Sequence, residues 1–250
     1  MNKKGQELGL KNTHFITPHG LDEPEHYTTA YELALITDYA LNNPKFSEVV
    51  KTKTYTVRIN GNIKNINNTN ELLGYLDGVN GVKTGFTNGA GRCLVTSVQR
   101  DGFNIITVVL GADTKKIRTR DSIKLIEYIY ENYELVDLEQ LINEYFEEWK
   151  KINKKRVYIY KGKKDNTEIK LEEYKYKVYP VRKEKVKDIN IEAKDIKMYF
   201  EAPTNIGEEV GSLALNIGDK ELMNIRLLMN NKIERKGIKN YIFECLEKVI

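Results

Sequence analysis

Three successive runs of β-type residues between positions 79 and 111 most restrict how this chain can fold. Val79–Thr87, Arg92–Arg100 and Phe103–Gly111 contain many β-branched and aromatic residues, and turn residues separate them. Asp101-Gly102 is a favoured two-residue hairpin turn, so the second and third runs are predicted to pair in antiparallel fashion. The sequence therefore predicts an antiparallel sheet in this part of the chain.

Helical spacing on both sides of these strands predicts that residues 1–135 form an α+β unit. Thr29 and Glu32 have the pattern of a capping box, at the start of a helix that ends at Asn43-Pro44. Asn60-Gly61 predicts a hairpin, and residues 119–132 are predicted to form a second helix. The apolar residues that give this second helix its spacing are Ile123, Ile126, Tyr130 and Tyr133.

After residue 135 the chain is predicted to form a helix, a small all-β domain and a terminal helix. Helical spacing after Asp137 predicts a linking helix over residues 136–154. Short alternating runs favour a sandwich or barrel over residues 155–236. These runs are Val157/Ile159, Ile169/Leu171, Tyr174/Tyr176/Val178 and Leu213/Leu215. Residues 237–250 are amphipathic and short, which favours an ordinary closing helix, with a membrane-surface anchor as the alternative.

Charge and composition exclude several classes of protein. The net charge of +4 divides into −3 for residues 1–150 and +7 for residues 151–250, which suggests two modules. The basic half most simply forms a solvated face, and binding to an anionic surface is the alternative. Acidic residues are interleaved with the basic ones, which argues against nucleic-acid binding.

The most apolar stretch, residues 105–112, is far shorter than the roughly 20 residues of a membrane-spanning helix. Cys93 and Cys245 provide neither a disulfide framework nor a CxxC site.

The three histidines of the chain, His14, His19 and His26, lie close together in a loop with Asp22, Glu23 and Glu25. Histidine and carboxylate side chains are zinc ligands, so a metal site has to be considered. Their spacing differs from that of a helix-borne HExxH site, and we favour structural hydrogen bonding over metal binding.

Lys83-Thr84-Gly85 is a second candidate site, on the first of the three predicted strands. A lysine and a hydroxyl on one strand can hold a carboxylate, and glycine lets a substrate backbone approach closely. Because a single tripeptide is a weak signal, a polar edge strand with an ordinary turn is the alternative.

Several ordered segments resemble the D-alanyl-D-alanine carboxypeptidases of peptidase family S11, which are low-molecular-weight penicillin-binding proteins. Together they are specific, and the resemblance covers residues 1 to about 135. The segments are Thr17–Asp22, His26–Ala30, Asn70–Leu73, Gly81–Thr87, Ala90–Leu94 and Val108–Ala112. The implied fold is an incomplete penicillin-binding, transpeptidase-like domain, in which residues 1–135 are the C-terminal part of the catalytic domain.

The resemblance implies a role for each residue of the candidate site. Lys83 would supply positive charge beside the catalytic serines, and Thr84 would hydrogen-bond the terminal carboxylate of a stem peptide or a β-lactam. Gly85 would keep the strand open, and the backbone N–H of Phe86 would form half of an oxyanion hole. Arg118 would help to bind the substrate carboxylate. For Arg118 the alternative is a solvent-exposed residue near a helix start.

The sequence departs from the family in lacking S-x-x-K and S-x-N. None of its four serines, Ser47, Ser97, Ser122 and Ser212, begins either motif. In the family both motifs precede the segment that resembles His19–Asp22, and the opening residues here have the pattern of a helix that ends at Gly9. We therefore expect a fragment of a longer carboxypeptidase that is not acylated by penicillin. It is also expected to fold poorly, because Val95, Ile105, Val108 and Leu110 would lose cover.

The expected function is thus that of a serine-type D-Ala-D-Ala carboxypeptidase acting on peptidoglycan stem peptides through an acyl-enzyme, without a cofactor. The resemblance also implies a location in the cell envelope and β-lactam binding by the intact protein. A non-catalytic protein that binds the cell wall is the alternative from another class. A metal-dependent hydrolase built on the histidines is a distant third.

Overall fold

The computed structural model describes residues 1–153 and 155–247. The chain separates into two compact units, Met1–Glu131 and Asn132–Ile250. The mixture of helices and antiparallel sheets confirms the predicted α+β class. The finer boundaries at residues 135, 154 and 236 stay a prediction.

The first unit contains a three-stranded antiparallel sheet, a separate hairpin and four helices. The sheet has the order β3-β4-β5, and the hairpin pairs β1 with β2 around Asn60-Gly61. The elements are α1 Asn2–Glu7, α2 Ala30–Leu41, α3 Pro44–Lys51, β1 Thr54–Ile59, β2 Asn62–Asn67, β3 Val79–Thr87, β4 Gly91–Arg100, β5 Phe103–Ala112 and α4 Lys115–Asn132. The predicted strands and hairpin are therefore confirmed.

Apolar side chains cover the β3-β4-β5 sheet on both faces. Leu94 and Val98 of β4 pack against Ile126 of α4 on one face. Val95, their neighbour in sequence, packs with Val50 of α3, because successive strand residues point to opposite faces. Of the side chains expected to lose cover, Val95 is buried, Ile105 and Val108 are partly buried, and Leu110 is exposed.

Polar residues determine where the two long helices of this unit begin. Thr29 caps α2 by accepting a hydrogen bond from the Glu32 backbone N–H, as predicted. The Glu32 carboxylate accepts hydrogen bonds from residues 11–13 and does not complete the capping box. The predicted start of the second helix at residue 119 is wrong, since α4 begins at Lys115. The Thr114 hydroxyl accepts a hydrogen bond from the Ile117 N–H at 3.1 Å, which adds a first turn without apolar spacing. Arg118 therefore lies inside the helix.

The second unit contains a four-stranded antiparallel sheet of order β10-β12-β13-β8. The described part of this unit also contains a parallel pair, β7 and β11, and an antiparallel pair, β6 and β9. The elements are β6 Tyr133–Asp137, α5 Leu138–Asn153, β7 Tyr158–Tyr160, β8 Ile169–Leu171, β9 Val178–Arg182, a 3₁₀ helix Lys183–Asp188, β10 Ile189–Lys194, β11 Tyr199–Glu201, β12 Glu209–Ile217, β13 Lys220–Met229 and α6 Ile238–Glu247. Phe146 and Trp149 of α5 are buried among the strands.

Two sequence expectations for this unit are wrong. Tyr133, assigned to a helix by its spacing, begins β6, where strand pairing with β9 overrides helical periodicity. Tyr174 and Tyr176 lie outside any strand, since their strand begins at Val178. Instead, both tyrosines pack against the core that contains Leu138 and Leu215.

The terminal helix α6 is described as far as Glu247. Residues 248–250 of the predicted terminal helix and Lys154 of the predicted linking helix lie outside the described residues. Ile238, Ile242 and Leu246 are exposed on α6. An ordinary closing helix stays the prediction here, with a membrane-surface anchor as the alternative. Within the described ranges, none of the helices has the length and apolarity needed to cross a bilayer.

Candidate functional site

Strand β3 presents Lys83, Thr84 and Gly85 at one edge of the sheet, since β4 is its one partner among the described strands. Thr84 lies opposite Leu94, and Lys83 lies opposite Val95. Cross-strand partners share a face of the sheet, so Thr84 lies on the face covered by α4 and Lys83 on the opposite face.

The Thr84 hydroxyl is hydrogen-bonded to the hydroxyl of Thr69, with 2.6 Å between the two Oγ1 atoms. Thr69 precedes β3 in the turn-rich connection from β2 and is exposed. A threonine hydroxyl both donates and accepts, so this bond orients the Thr84 hydroxyl without removing its ability to bind a ligand oxygen.

Arg118 is buried, with 2% of its side chain exposed, which shows that the alternative of a solvent-exposed arginine is wrong. Its Nη2 donates a hydrogen bond to Oε2 of Glu71 at 2.6 Å. The other oxygen of this carboxylate, Oε1, accepts a hydrogen bond from the Thr119 hydroxyl at 2.8 Å. Glu71 therefore sits at the first turn of α4, where the helix dipole also favours a negative charge.

The segment Thr69–Glu71 contacts both Thr84 and Arg118. Thr69 contacts Thr84, and Glu71 contacts Arg118. Between them, buried Asn70 donates from Nδ2 to the Gly81 carbonyl of β3 at 2.9 Å. Three consecutive residues thus join the strand that carries Thr84 to the helix that carries Arg118.

The charge on Glu71 is favoured by its neighbours. Burial opposes ionisation of the Glu71 carboxyl, but hydrogen bonds from Thr119 and Arg118 outweigh this effect and lower its pKa. At neutral pH, Glu71 is therefore a carboxylate. The Arg118 Nε is buried and has no hydrogen-bond partner.

Lys83 is exposed and donates from Nζ to the carbonyl oxygen of Thr84 at 2.6 Å. Its ammonium group consequently lies next to the backbone of β3. This position differs from that of the Thr84 hydroxyl, which points toward Thr69.

Gly85 and Phe86 complete the predicted site on β3. A Cβ atom at Gly85 would meet the Cβ of Cys93 at 3.6 Å, an ordinary contact, so internal packing does not require glycine there. The Phe86 ring is exposed, and the Arg92 guanidinium lies over it with 3.6 Å from Cζ to the ring centroid. Arg92 thus adds a cation near the predicted site.

The histidine loop makes backbone hydrogen bonds. His14 Nδ1 lies 2.7 Å from the Glu25 carbonyl, and His19 Nδ1 accepts a hydrogen bond from the Leu21 N–H at 3.2 Å. Asp22 reaches the turn after β3, where its Oδ2 accepts from the Gly89 N–H at 3.2 Å. Among the described residues, no group of three or more His, Cys, Asp or Glu residues is placed to hold a metal ion.

Sequence patterns did not identify Thr69, Glu71 or Arg92 as members of this site. Asn70, Glu71 and Arg92 lie within segments that resemble the family, but the resemblance implied no role for them. The available signal was a run of polar residues, Asn67–Glu71, immediately before two apolar residues that could anchor it. Leu72 does so, since it is fully buried against Leu94 and Ile126.

Comparison with known proteins supports the fold described above and identifies a family. Residues 1–114 match the Peptidase_S11 family, described as D-alanyl-D-alanine carboxypeptidase. The D-alanyl-D-alanine carboxypeptidase DacF of Bacillus subtilis is 32% identical over 97% of this chain. The crystal structure of DacD from Francisella tularensis has a TM-score of 0.68 at 25% identity and covers 94% of this chain. The crystal structure of penicillin binding protein 5 from Haemophilus influenzae also has a TM-score of 0.68, at 27% identity, and covers 94% of this chain.

The chain belongs to the D-alanyl-D-alanine carboxypeptidase family, a class of penicillin-binding proteins. It spans 60% of the length of the DacF relative. In the two solved structures it covers 67% of the DacD chain and 64% of the penicillin binding protein 5 chain.

Proposed function

We propose that this chain provides the carboxylate-binding side of a serine-type D-Ala-D-Ala carboxypeptidase, which removes the terminal D-alanine from peptidoglycan stem peptides. The observation that carries this proposal is that Thr84 and Arg118 each hydrogen-bond to the three-residue segment Thr69–Glu71. A hydroxyl and a guanidinium group in one place suit a carboxylate, because both donate hydrogen bonds to its oxygens.

In this proposal each residue of β3 has a distinct task. The Thr84 hydroxyl and the Arg118 guanidinium bind the terminal carboxylate of the peptide. Lys83 adds positive charge beside the catalytic serines, and Gly85 leaves room for the substrate backbone. The Phe86 N–H donates to the carbonyl oxygen as it becomes negative, and one such donor typically lowers the barrier by ~3–4 kcal/mol.

The reaction is acyl transfer to a serine followed by hydrolysis. The serine oxygen bonds to the carbonyl carbon between the two D-alanines, the peptide bond breaks, and the terminal D-alanine leaves with a proton on its nitrogen. Water then cleaves the ester and restores the serine hydroxyl. We assign this serine to an S-x-x-K segment outside these 250 residues, since none of the four serines present begins that motif. The proposed location is the cell envelope, with no cofactor and with β-lactams as ligands of the intact protein.

A second candidate is a protein that binds the cell wall without catalysis. Both candidates use the same carboxylate site. The DNA upstream of the first codon separates them: an in-frame S-x-x-K supports the enzyme, whereas a stop codon with a separate promoter supports the non-catalytic protein. Covalent labelling of the purified 250-residue chain by a fluorescent β-lactam would contradict our assignment of the serine to another segment.

A comparison of an acid with its amide tests the carboxylate site itself. We expect the chain to bind Nα-acetyl-D-alanyl-D-alanine more tightly than the C-terminal amide of the same dipeptide, measured by titration calorimetry. Arg118→Lys should reduce affinity for the acid about tenfold, because a lysine lacks the guanidinium fork. Affinity for the amide should not change. Equal affinity of the wild-type chain for acid and amide, including binding of neither, would overturn the proposal.

A further inference from the structure

The ion pair between Arg118 and Glu71 is incomplete. Glu71 Oε2 accepts from Arg118 Nη2, but Nε on the same edge of the guanidinium is buried and has no partner. The other oxygen of Glu71, Oε1, accepts from the Thr119 hydroxyl and makes no hydrogen bond with Nε. One buried donor of the guanidinium thus remains without an acceptor.

A second arginine–glutamate pair in the same unit shows the complete arrangement. Arg100 donates from Nη1 and Nη2 to the two oxygens of Glu127, at 3.1 and 2.8 Å. Arg100 lies six residues beyond Leu94, the partner of Thr84, which is about 20 Å along β4. The two pairs therefore share residue types but differ in geometry and in distance from the candidate site.

We propose that Glu71 is an internal carboxylate that the terminal carboxylate of a ligand displaces from Arg118, so that Glu71 sets both the affinity and the carboxylate selectivity of this site. This inference rests on the proposed function. A ligand carboxylate can accept from Nε and Nη2 together, whereas Glu71 accepts from Nη2 alone.

The exposure of the two side chains indicates which partner moves. Glu71 is 39% exposed and Arg118 is 2% exposed, so Glu71 can turn toward solvent while Arg118 stays in place. After displacement, Glu71 keeps its hydrogen bond with Thr119 or exchanges it for water. A ligand with an amide in place of the carboxylate brings no negative charge to replace that of Glu71, and is therefore rejected.

Three variants of the 250-residue chain test this inference, with Nα-acetyl-D-alanyl-D-alanine and its amide as probes. Glu71→Gln removes the competing charge, and Glu71→Asp keeps the charge but shortens the side chain. Both should bind the acid about fivefold more tightly than wild type, the effect of removing a partly exposed ion pair. Affinity for the amide should rise by less. Glu127→Gln makes the same charge change at the complete pair and should leave both affinities unchanged.

The direction in which the Glu71 variants change the affinity for the acid shows whether the ligand displaces Glu71 or whether Glu71 supports Arg118. If Glu71 supports Arg118, Glu71→Gln binds the acid more weakly, and this result or unchanged affinity overturns the inference. If Glu71→Gln and Glu127→Gln both strengthen acid binding equally, net charge is the cause and the inference is also overturned. Thermal unfolding reports whether each variant folds; if neither Glu71 variant folds, Glu71 is not displaceable. If the wild-type chain prefers the acid but the Glu71 variants do not bind the acid more tightly, this inference is contradicted. The proposed function is then unaffected.

Discussion

The two units of the chain differ in what fills their interiors. Of the described apolar residues, nine are buried in the first unit and 18 in the second. In the first unit they divide into small clusters on the two faces of the β3-β4-β5 sheet. In the second unit, a larger cluster joins α5 to the strands around Leu213 and Leu227. Apolar packing therefore dominates the second unit more than the first.

Buried charge follows the opposite distribution. Among the described buried residues, the charged ones are Glu32 and Arg118, and both belong to the first unit. Each makes hydrogen bonds that fasten a segment without regular structure: Glu32 binds residues 11–13, and Arg118 binds Glu71. The first unit therefore uses polar contacts to position its candidate site, whereas the second unit depends on apolar burial.

Removing one central leucine from each unit should give the largest effect. Leu94 in β4 and Leu213 in β12 are fully buried in central strands. Leu94→Ala and Leu213→Ala should each lower the free energy of unfolding of their own unit by about 3–5 kcal/mol. Hydrogen exchange with mass spectrometry measures each unit separately. Because its apolar core is smaller, the first unit should lose a larger share of its protection from hydrogen exchange.

Leu125→Ala is the control for these variants, because Leu125 is exposed on α4. It should change stability by less than about 0.5 kcal/mol. Equal protection losses in the two units, or a loss in Leu125→Ala as large as in Leu94→Ala, would contradict the contrast between the two interiors.

A smaller effect is expected from Asn70→Ala. This change leaves the buried Gly81 carbonyl and the Leu72 N–H without their partner, which should lower stability by about 1–3 kcal/mol. Urea denaturation measures this loss. Asn42→Ala, which removes a similar hydrogen bond at an exposed position, should change stability by less than about 0.5 kcal/mol. If the two variants lose equal stability, the polar contacts of Asn70 are not what positions the Thr69–Glu71 segment.

The smallest expected effect is a difference in acid sensitivity. The hydrogen bond from Thr13 outweighs burial and lowers the pKa of Glu32, with the Lys11 and Asn12 N–H groups contributing. Its stabilising effect is present above the unfolded pKa of about 4.3 and is lost as the pH falls through the lower folded pKa. Glu32→Gln should be less stable at pH 7 and should lose less stability between pH 5 and pH 2.

Added salt should change the acid sensitivity of the two units to different extents. In the second unit, hydrogen bonds from Arg226 and Lys161 lower the pKa values of Glu172 and Glu201 at exposed ion pairs. Salt screens exposed pairs more strongly than buried groups, so about 0.5 M NaCl should reduce the acid sensitivity of the second unit more than that of the first. An equal reduction in both units would show that Glu32 behaves as an exposed group.

Local sequence patterns predicted most of the helices and strands, but they predicted fewer of the residues at which these elements begin and end. The β3 strand, the Asn60-Gly61 hairpin and helix α5 follow from periodicity and turn residues, which act over a few neighbouring positions. The start of α4 was missed because Thr114, rather than an apolar pattern, determines it. Tyr133 and Tyr176 were misassigned because strand pairing and core packing there override spacing.

The sequence by itself determined the α+β class, the strand that carries Lys83-Thr84-Gly85 and the family to which the chain belongs, because these depend on residue order along short segments. Only the tertiary structure decided that Arg118 is buried and that Glu71, 47 residues earlier, is its partner. Glu71 lies in a connection without periodic pattern, so its position depends on how Leu72 packs between β4 and α4. Such a contact between distant residues is a property of the packed chain and has no signal in residue spacing.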